Sequence, residues 1–172
     1  FIGFHLALTL LKKGNVVIGL DNINNYYNKK IKLDRLKILK KYSKYKFLKI
    51  DIANDKPLKK GLNSYKNKIK YIIHLAGYIG GIGASINEPV NFLQENILMG
   101  INLIKSSYKF KIKNFLNIGS SCIYPPNQKK PIKEKQLLNG NIEKTNEPYA
   151  IAKIASIKLC EYISKNNKYN YS

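Results

Sequence analysis

Short apolar runs alternate along the whole chain with longer segments whose apolar residues recur at helical spacing. The short runs end at Asp, Gly or Ser, as buried strands commonly do. The pattern predicts strands at Val16–Leu20, Phe47–Ile50, Ile69–Leu75 and Phe115–Ile118. It predicts helices at Phe4–Lys13, Lys29–Tyr42, Lys56–Tyr65, Pro89–Phe110 and Pro148–Ser164.

This alternation of strand and helix predicts one α/β domain: a Rossmann-like, doubly wound parallel sheet with helices on both faces. In such sheets the ligand lies beyond the carboxyl ends of the strands. Four polar or glycine-rich features fall at predicted strand ends: Asp21, Asp51, the loop Gly77–Gly83 and Ser120. The sequence therefore predicts a binding site at that edge.

The long helix Pro89–Phe110 has an apolar stripe that we expect to face the core. Its members are Val90, Leu93, Ile97, Ile101 and Ile104. Gly14 is the expected stop of the first helix, since glycine commonly follows a helix C-terminus. The Pro-, Lys- and Asn-rich stretch Pro125–Glu147 is expected to be a loop.

Tyr149 and Lys153 stand four positions apart in the last predicted helix and therefore share one face. A phenol ordinarily loses its proton near pH 10. We expect the Lys153 ammonium to favour the phenolate and to lower the Tyr149 pKa toward neutrality, which suits proton transfer. In a lysine-rich chain the pair also fits an ordinary solvated helix face.

A second polar cluster, Gly119-Ser120-Ser121-Cys122, follows the last predicted strand. The Ser120 hydroxyl suits hydrogen bonding to a sugar oxygen while Tyr149 transfers a proton. The Cys122 thiol suits proton exchange with a carbon beside a carbonyl, and a small buried side chain is the alternative. Cys160 is expected to pack in the core, and His74 to be a core histidine with its hydrogen bonds made.

Gly3 opens the first helix, where the last glycine of a dinucleotide fingerprint would allow close packing. Asp21 follows 18 positions later, near the spacing of an acid that binds the adenosine ribose. A carboxylate there repels a 2′-phosphate and favours NAD over NADP, although a surface aspartate in a turn is the alternative. Further residues at strand ends are expected to border the cofactor: Asp51, Ile52, Leu75, Ala76, Ile118, Gly119 and Ser121.

The formal charge of +21 would ordinarily suggest an anionic partner. Arg35 is the only arginine, however, and the lysines are scattered along the chain, so we expect no nucleic-acid partner. Two cysteines and two histidines form neither a disulfide framework nor a metal site. No apolar run reaches membrane-spanning length and no cleavable leader is evident, so we expect a cytoplasmic protein without membrane contact.

With these motifs the chain resembles the extended short-chain dehydrogenase/reductase superfamily, in its NAD-dependent epimerase/dehydratase group. Residues 1–76, with Gly19-Leu20-Asp21-Asn22 and Asp51-Ile52-Ala53, look like UDP-glucuronate 4-epimerases. Residues from 79 onward, with Gly119-Ser120-Ser121-Cys122-Ile123-Tyr124-Pro125 and Asn146-Glu147-Pro148-Tyr149, look like GDP-L-fucose synthases. The change near Ala76 fits either a natural recombinant or an assembly join.

The second resemblance implies epimerisation of GDP-4-keto-6-deoxymannose beside its ketone, followed by reduction with a nicotinamide. It implies that Tyr149 donates the proton, Lys153 holds the nicotinamide ribose, Ser120 orients the keto oxygen and Cys122 acts in the epimerisation. Fucose synthases use NADPH, whereas Asp21 favours NAD. We also expect a homodimer of the full-length protein.

The resemblance also implies that the first strand, its phosphate-binding glycines, a catalytic histidine and a C-terminal substrate region lie outside these 172 residues. We therefore expect a fragment of a longer protein. Two other functions stay open: a UDP-sugar 4-epimerase with tightly bound NAD, and an inactive remnant or binding-only module.

Overall fold

The computed structural model describes residues 1–127, 131–165 and 168–172. Its helices are α1 (Ile2–Lys12), α2 (Lys29–Lys40), α3 (Asp55–Asn63), α4 (Gly81–Asn87), α5 (Pro89–Lys109) and α6 (Glu147–Ser164). Its strands are β1 (Val17–Asp21), β2 (Tyr45–Lys49), β3 (Tyr71–His74), β4 (Asn114–Asn117) and β5 (Asn170–Tyr171). Short 3-10 turns cover Ser121–Ile123 and Glu134–Gln136.

All strand pairs are parallel, and the strands divide between two sheets. β1 pairs with β2, so that Val17 lies beside Tyr45 and Asp21 beside Lys49. The second sheet has the order β3-β4-β5, with His74 beside Asn117. Because every strand points the same way within its sheet, the polar residues at the strand ends gather along one edge of each sheet. The predicted parallel α/β architecture is confirmed.

Helices cover both faces of the β1–β2 sheet. On one face Val17 and Tyr45 pack against a cluster from α1 and α2, built on Ala7, Leu11 and Leu39. On the other face Leu20 packs against the main core. That core joins α3, α5, β4 and α6 through Leu58, Leu62, Leu103, Ile104, Phe115 and Cys160. Cys160 therefore packs in the core, as predicted.

The apolar stripe of α5 predicts its buried face correctly only at Ile104, which is 0% exposed. Val90 is 69% exposed, and Leu93, Ile97 and Ile101 are only partly buried. The face toward the protein instead carries small and polar residues among its apolar ones: Phe92, Asn96, Gly100, Leu103, Ile104, Ser106 and Ser107. The reason is close contact with α6, since a Cβ on Gly100 would collide with the Ser156 hydroxyl. A helix that packs this closely needs small side chains at the contact.

Several predicted boundaries change by a few residues. β1 begins at Val17, because Val16 is 73% exposed, and the strand is half-buried where a buried one was predicted. Gly14 follows α1 with φ +82°, a left-handed conformation that confirms its role as a stop. The first residues of α4, up to Gly83, were predicted as the end of the glycine-rich loop, and neither the rest of α4 nor β5 was predicted. Residues 128–130 of the predicted loop Pro125–Glu147 lie outside the described residues.

Candidate active site

The carboxyl ends of β3 and β4 lie next to the first two turns of α6. After β4 the chain continues through Ile118 and Gly119 into the 3-10 turn that starts at Ser121. Ile118 N–H donates to the His74 carbonyl at 3.4 Å, so that the β3–β4 ladder extends to this point. The Ile118 carbonyl accepts a hydrogen bond from Lys153 Nζ at 2.9 Å. Main-chain structure at the sheet edge thus holds the ammonium.

Lys153 differs from the other lysines of the chain. It is 7% exposed, and it is the one lysine among the described residues that is buried. Its Nζ lies 5.7 Å from the centroid of the Tyr149 ring. Burial lowers the pKa of Lys153, and the Cys122 thiol opposes that change. The alternative interpretation of the pair, an ordinary solvated helix face, does not hold for Lys153, because this side chain is buried.

The pKa of Tyr149 is a correction to the sequence prediction. Burial raises it above the ordinary value for a phenol, and the Cys122 thiol raises it further. The Lys153 ammonium lies over the face of the ring and binds the Ile118 carbonyl, so it does not lower the pKa as predicted. Tyr149 is therefore a protonated phenol, which suits a proton donor.

Ser120 and Cys122 lie together at the start of the 3-10 turn. Ser120 Oγ is 3.1 Å from Cys122 Sγ and also accepts a hydrogen bond from Cys122 N–H at 3.4 Å. The Cys122 thiol influences both Tyr149 and Lys153 electrostatically. The structure thus brings together the four candidate catalytic residues Ser120, Cys122, Tyr149 and Lys153. Ser121, between Ser120 and Cys122 in the chain, is exposed.

The glycine-rich loop after β3 is held by helix α5. The Asn96 side chain accepts from Tyr78 N–H at 2.9 Å and donates to the Tyr78 carbonyl at 3.0 Å. The Tyr78 hydroxyl donates to Glu88 at 2.6 Å. A Cβ on Gly80 would collide with the Tyr26 hydroxyl, which explains the glycine there. The sequence analysis missed Asn96, and an amide on the buried face of a helix was the available signal.

The predicted cofactor residues of the first half lie at the ends of β1 and β2. Asp21 Oδ1 accepts from Ile23 N–H at 2.7 Å, and its other oxygen has no hydrogen bond in the part of the chain that is described. Asp51 is held on both oxygens, by Ala53 N–H at 3.0 Å and by the Asn22 amide at 3.0 Å. Ile52 is buried behind them.

Gly3 lies in the first turn of α1, close to Leu75 at the end of β3. A Cβ on Gly3 would stand 3.7 Å from Leu75 Cδ1, an ordinary contact, so the close packing expected of a fingerprint glycine is not found there. Ala76 is exposed and Leu75 is partly buried. Among the described residues, no hydrogen bond or ion pair joins Asp21, Asp51 or Gly3 to the four catalytic candidates.

His74 and Asn117 are neighbours in register beneath this site. Their exposed fractions are 4% and 7%, and His74 Nδ1 and both Asn117 side-chain polar atoms have no hydrogen-bond partner within the described residues. Burial, with a smaller contribution from the Lys153 charge, lowers the pKa of His74 to about 4. His74 is a core histidine, as predicted, but Nδ1 lacks the expected partner.

Parallel strands, helices on both sheet faces and polar strand ends define a Rossmann-like α/β protein. The sequence model described as the NAD dependent epimerase/dehydratase family matches residues 1–172. The chain belongs to that family.

Two curated relatives and one solved structure illustrate the similarity. GDP-L-colitose synthase of Yersinia pseudotuberculosis is 49% identical over 111 residues, which are 63% of this chain and 36% of that protein. GDP-L-fucose synthase of Escherichia coli K12 is 44% identical over 102 residues, 59% of this chain and 31% of that protein. UDP-glucose 4-epimerase of Thermotoga maritima superposes with a TM-score of 0.76 at 23% identity, over 96% of this chain and 48% of that one.

The matches to these curated relatives span about a third of the relatives' length. At 23% identity, the similarity to the epimerase structure shows only that the two proteins share a fold. Among the described helices, none combines the length and apolar character that crossing a membrane requires.

Proposed function

We propose that the full-length protein is a nucleotide-sugar epimerase/reductase of the GDP-L-fucose synthase kind, acting on GDP-4-keto-6-deoxymannose. The observation that carries the proposal is the Cys122 thiol beside Ser120, within electrostatic reach of Tyr149 and Lys153. A thiol at this position suits removal of a proton from carbon next to a ketone. The similarity to GDP-L-colitose and GDP-L-fucose synthases supports the same substrate class.

Each side chain has a defined part in the proposed reaction. The Cys122 sulfur takes a proton from the carbon beside the ketone, and the catalytic histidine that the resemblance implies outside these residues returns a proton to the other face, which inverts that carbon. Ser120 donates a hydrogen bond to the keto oxygen. Tyr149, protonated because its pKa is raised, then donates its proton to that oxygen as the carbonyl is reduced. The Lys153 ammonium has further N–H groups besides the one that binds the Ile118 carbonyl, and we propose that these bind ribose hydroxyls.

The residues present fit a nicotinamide dinucleotide, which supplies the hydride when it is bound. Asp21 offers an unused carboxylate oxygen at a strand end, where an adenosine ribose binds in this fold. Leu75, Ala76, Ile118, Gly119 and Ser121 stand at the ends of β3 and β4 or just beyond them and are proposed to border the cofactor. Asp51 and Ile52 are proposed to border the adenine, and Gly3 the phosphates.

We propose that the cofactor is NAD(H) rather than NADP(H). A 2′-phosphate would bring its charge against the Asp21 carboxylate. The only arginine, Arg35, has its guanidinium over the rings of Phe1 and Phe4, 5.2 Å and 5.8 Å from their centroids, and we propose that it is not a 2′-phosphate ligand. The fucose-synthase resemblance favours NADP, so the two cofactors are to be compared directly.

The test is turnover of GDP-4-keto-6-deoxymannose by the full-length protein, followed by loss of reduced-nicotinamide absorbance and by deuterium uptake from solvent. Cys122→Ala should abolish deuterium uptake at carbon. Cys160→Ala removes the other thiol, 2% exposed in the core, and should leave uptake intact. No cofactor oxidation with either NADH or NADPH would refute the proposal.

A UDP-sugar 4-epimerase is the second candidate, favoured by Asp21 and the first half of the chain. Such an enzyme keeps its NAD and has no use for a carbon acid at Cys122. Interconversion of a UDP-sugar without net cofactor oxidation, unaffected by Cys122→Ala, would establish it. Dinucleotide binding without turnover of either substrate would indicate a binding-only module.

We also propose a homodimer built on the outer faces of α5 and α6. Val90, Leu98 and Tyr108 are exposed on α5, and Ile151 and Tyr162 are exposed on α6, next to it. Within each helix these positions recur at about helical spacing, and we propose that a second copy covers them. Ile151→Glu should shift the full-length protein to monomer in light scattering, whereas Ile38→Glu on the exposed face of α2 should not.

A further inference from the structure

Glu143 stands four residues before helix α6 and collects an unusual number of hydrogen bonds on one carboxylate. It accepts from Thr145 N–H at 3.0 Å, from Asn146 N–H at 3.1 Å and from the Asn146 side-chain amide at 3.0 Å. The Thr145 hydroxyl donates to the same carboxylate. These hydrogen bonds hold the pKa of Glu143 below its ordinary range, and those from Thr145 contribute most to lowering it. The side chain is therefore an anion fixed by its own loop.

Asn146 shows what this arrangement does to the helix. Asn at the N-cap position normally accepts a hydrogen bond from a main-chain N–H of the first turn. Here the Asn146 side chain makes no such bond and turns back to Glu143 instead. The Asn146 carbonyl accepts from Ala150 N–H at 2.9 Å, so the first turn of α6 starts from a residue whose position Glu143 determines.

Tyr149 is the third residue of α6 and belongs to that first turn. Lys153, one turn later, is held separately by the Ile118 carbonyl. The two members of the pair thus have different anchors. The ends of helices fray when their terminal groups are unsatisfied, so an unanchored first turn would let the phenol move while the ammonium stayed in place.

We propose that Glu143 is a positioning residue: its carboxylate fixes the first turn of α6 and holds the Tyr149 phenol in register with Lys153 and Cys122. The proposal rests on the function proposed for Tyr149. It requires no contact between Glu143 and substrate. A misplaced catalytic group reduces the rate of the chemical step while leaving cofactor contacts made elsewhere intact.

Glu143→Ala in the full-length protein should therefore lower kcat on the order of tenfold to 100-fold. The KM for the nicotinamide should change by less than about twofold, because Asp21 and the Gly77–Gly83 loop are untouched. Glu143→Gln should lose less than Glu143→Ala, because its amide oxygen can still accept from the Thr145 hydroxyl and from Asn146, and only the Thr145 N–H would face its N–H₂ group. Glu161→Ala is the matched control: it removes a carboxylate from the last turn of the same helix, where Lys158 pairs with it at 2.8 Å.

Formate gives the sharpest test. The Ala variant leaves a space lined by the donors of Thr145 and Asn146, and added formate should restore part of kcat there but not in Tyr149→Phe. Unchanged kcat in Glu143→Ala, a loss equal to that of Glu161→Ala, or no recovery with formate would overturn the proposal.

Hydrogen exchange tests the positioning role of Glu143 independently of the proposed enzymatic function. Exchange of the Ala150 amide should accelerate in Glu143→Ala and slow again with formate, while amides near residue 160 keep the wild-type rate. This result is expected whichever sugar nucleotide the protein uses. Wild-type exchange at Ala150 in the variant would refute the positioning role even if turnover were lost.

Discussion

The β3–β4–β5 sheet and the β1–β2 sheet hold their polar residues in different ways. At the end of the first, Lys153, His74 and Asn117 are all buried. At the end of the second, Asp21 is exposed and the chain makes a series of Asx turns, in which a side-chain oxygen accepts from the N–H two residues on. These turns run from Asp21 to Ile23, Asn22 to Asn24, Asn24 to Tyr26 and Asn28 to Lys30.

This difference separates two kinds of positioning. Buried groups are held by the packing of α5 and α6 on the sheet. Substitutions in these helices, although distant in the chain, can therefore alter the geometry of the site. Asx turns are held locally, so only changes within a few residues affect them. We therefore expect damage to the three-stranded sheet to affect catalysis or stability, and damage to the two-stranded sheet to affect cofactor choice. Four experiments test this division.

The largest effect is expected from Tyr149→Phe, which removes the proposed proton donor while keeping the ring. Turnover of the full-length protein should fall by roughly 100- to 10,000-fold, the usual contribution of a positioned acid. Stopped-flow measurement of cofactor oxidation gives the rate. A decrease of less than about threefold would show that another group donates the proton.

His74 should make stability depend on pH. Its folded pKa is lowered to about 4, against about 6.5 when unfolded, so the unfolded state binds the extra proton between those values. Stability should therefore fall as pH drops from about 6.5 to about 4, by about 2–3 kcal/mol from this group. Urea unfolding across that range should show a flatter dependence in His74→Leu. Parallel curves would mean that His74 titrates alike in both states.

Gly100→Ala tests the close contact of α5 and α6. The added methyl would collide with the Ser156 hydroxyl, and overpacking typically costs about 1–3 kcal/mol. Gly83→Ala is the control, because nothing lies within 4 Å of a Cβ there. Thermal unfolding should show a lower midpoint for the first variant only. Equal midpoints would mean that the two helices separate without cost.

The smallest effect is expected from Asp21→Ser, which should change cofactor choice without loss of folding. The substitution removes a charged hydrogen-bond acceptor for the adenosine ribose and also a negative charge that repels a 2′-phosphate. The ratio of NADH affinity to NADPH affinity should therefore change by about tenfold in favour of NADPH. Asp34→Asn, at an exposed acid paired with Lys37, is the control. Calorimetric titration of both cofactors measures the ratio. A wild-type preference for NADPH would refute the role given to Asp21.

The sequence predicted the parallel α/β class and each strand from β1 to β4, because short apolar runs that end at Asp, Gly or Ser carry a local signal. It also predicted the residues that the structure gathers as Ser120, Cys122, Tyr149 and Lys153. Apart from Ile104, it did not predict the buried face of α5, since the contact of Gly100 with Ser156 joins residues that are 156 − 100 = 56 positions apart in the chain. The lowered Tyr149 pKa was wrong for a similar reason: burial and the Cys122 thiol act only in the folded chain.

The bond from Lys153 to the Ile118 carbonyl has a consequence for how this chain can vary. A main-chain carbonyl is present whatever residue occupies position 118, and the Ile118 side chain is 40% exposed. Substitution of Ile118 therefore leaves the hydrogen-bond acceptor of the Lys153 ammonium in place. In a chain with many surface lysines, the one buried lysine of the part that the structure describes, which we propose to act in catalysis, is therefore held by a main-chain atom that substitution does not remove.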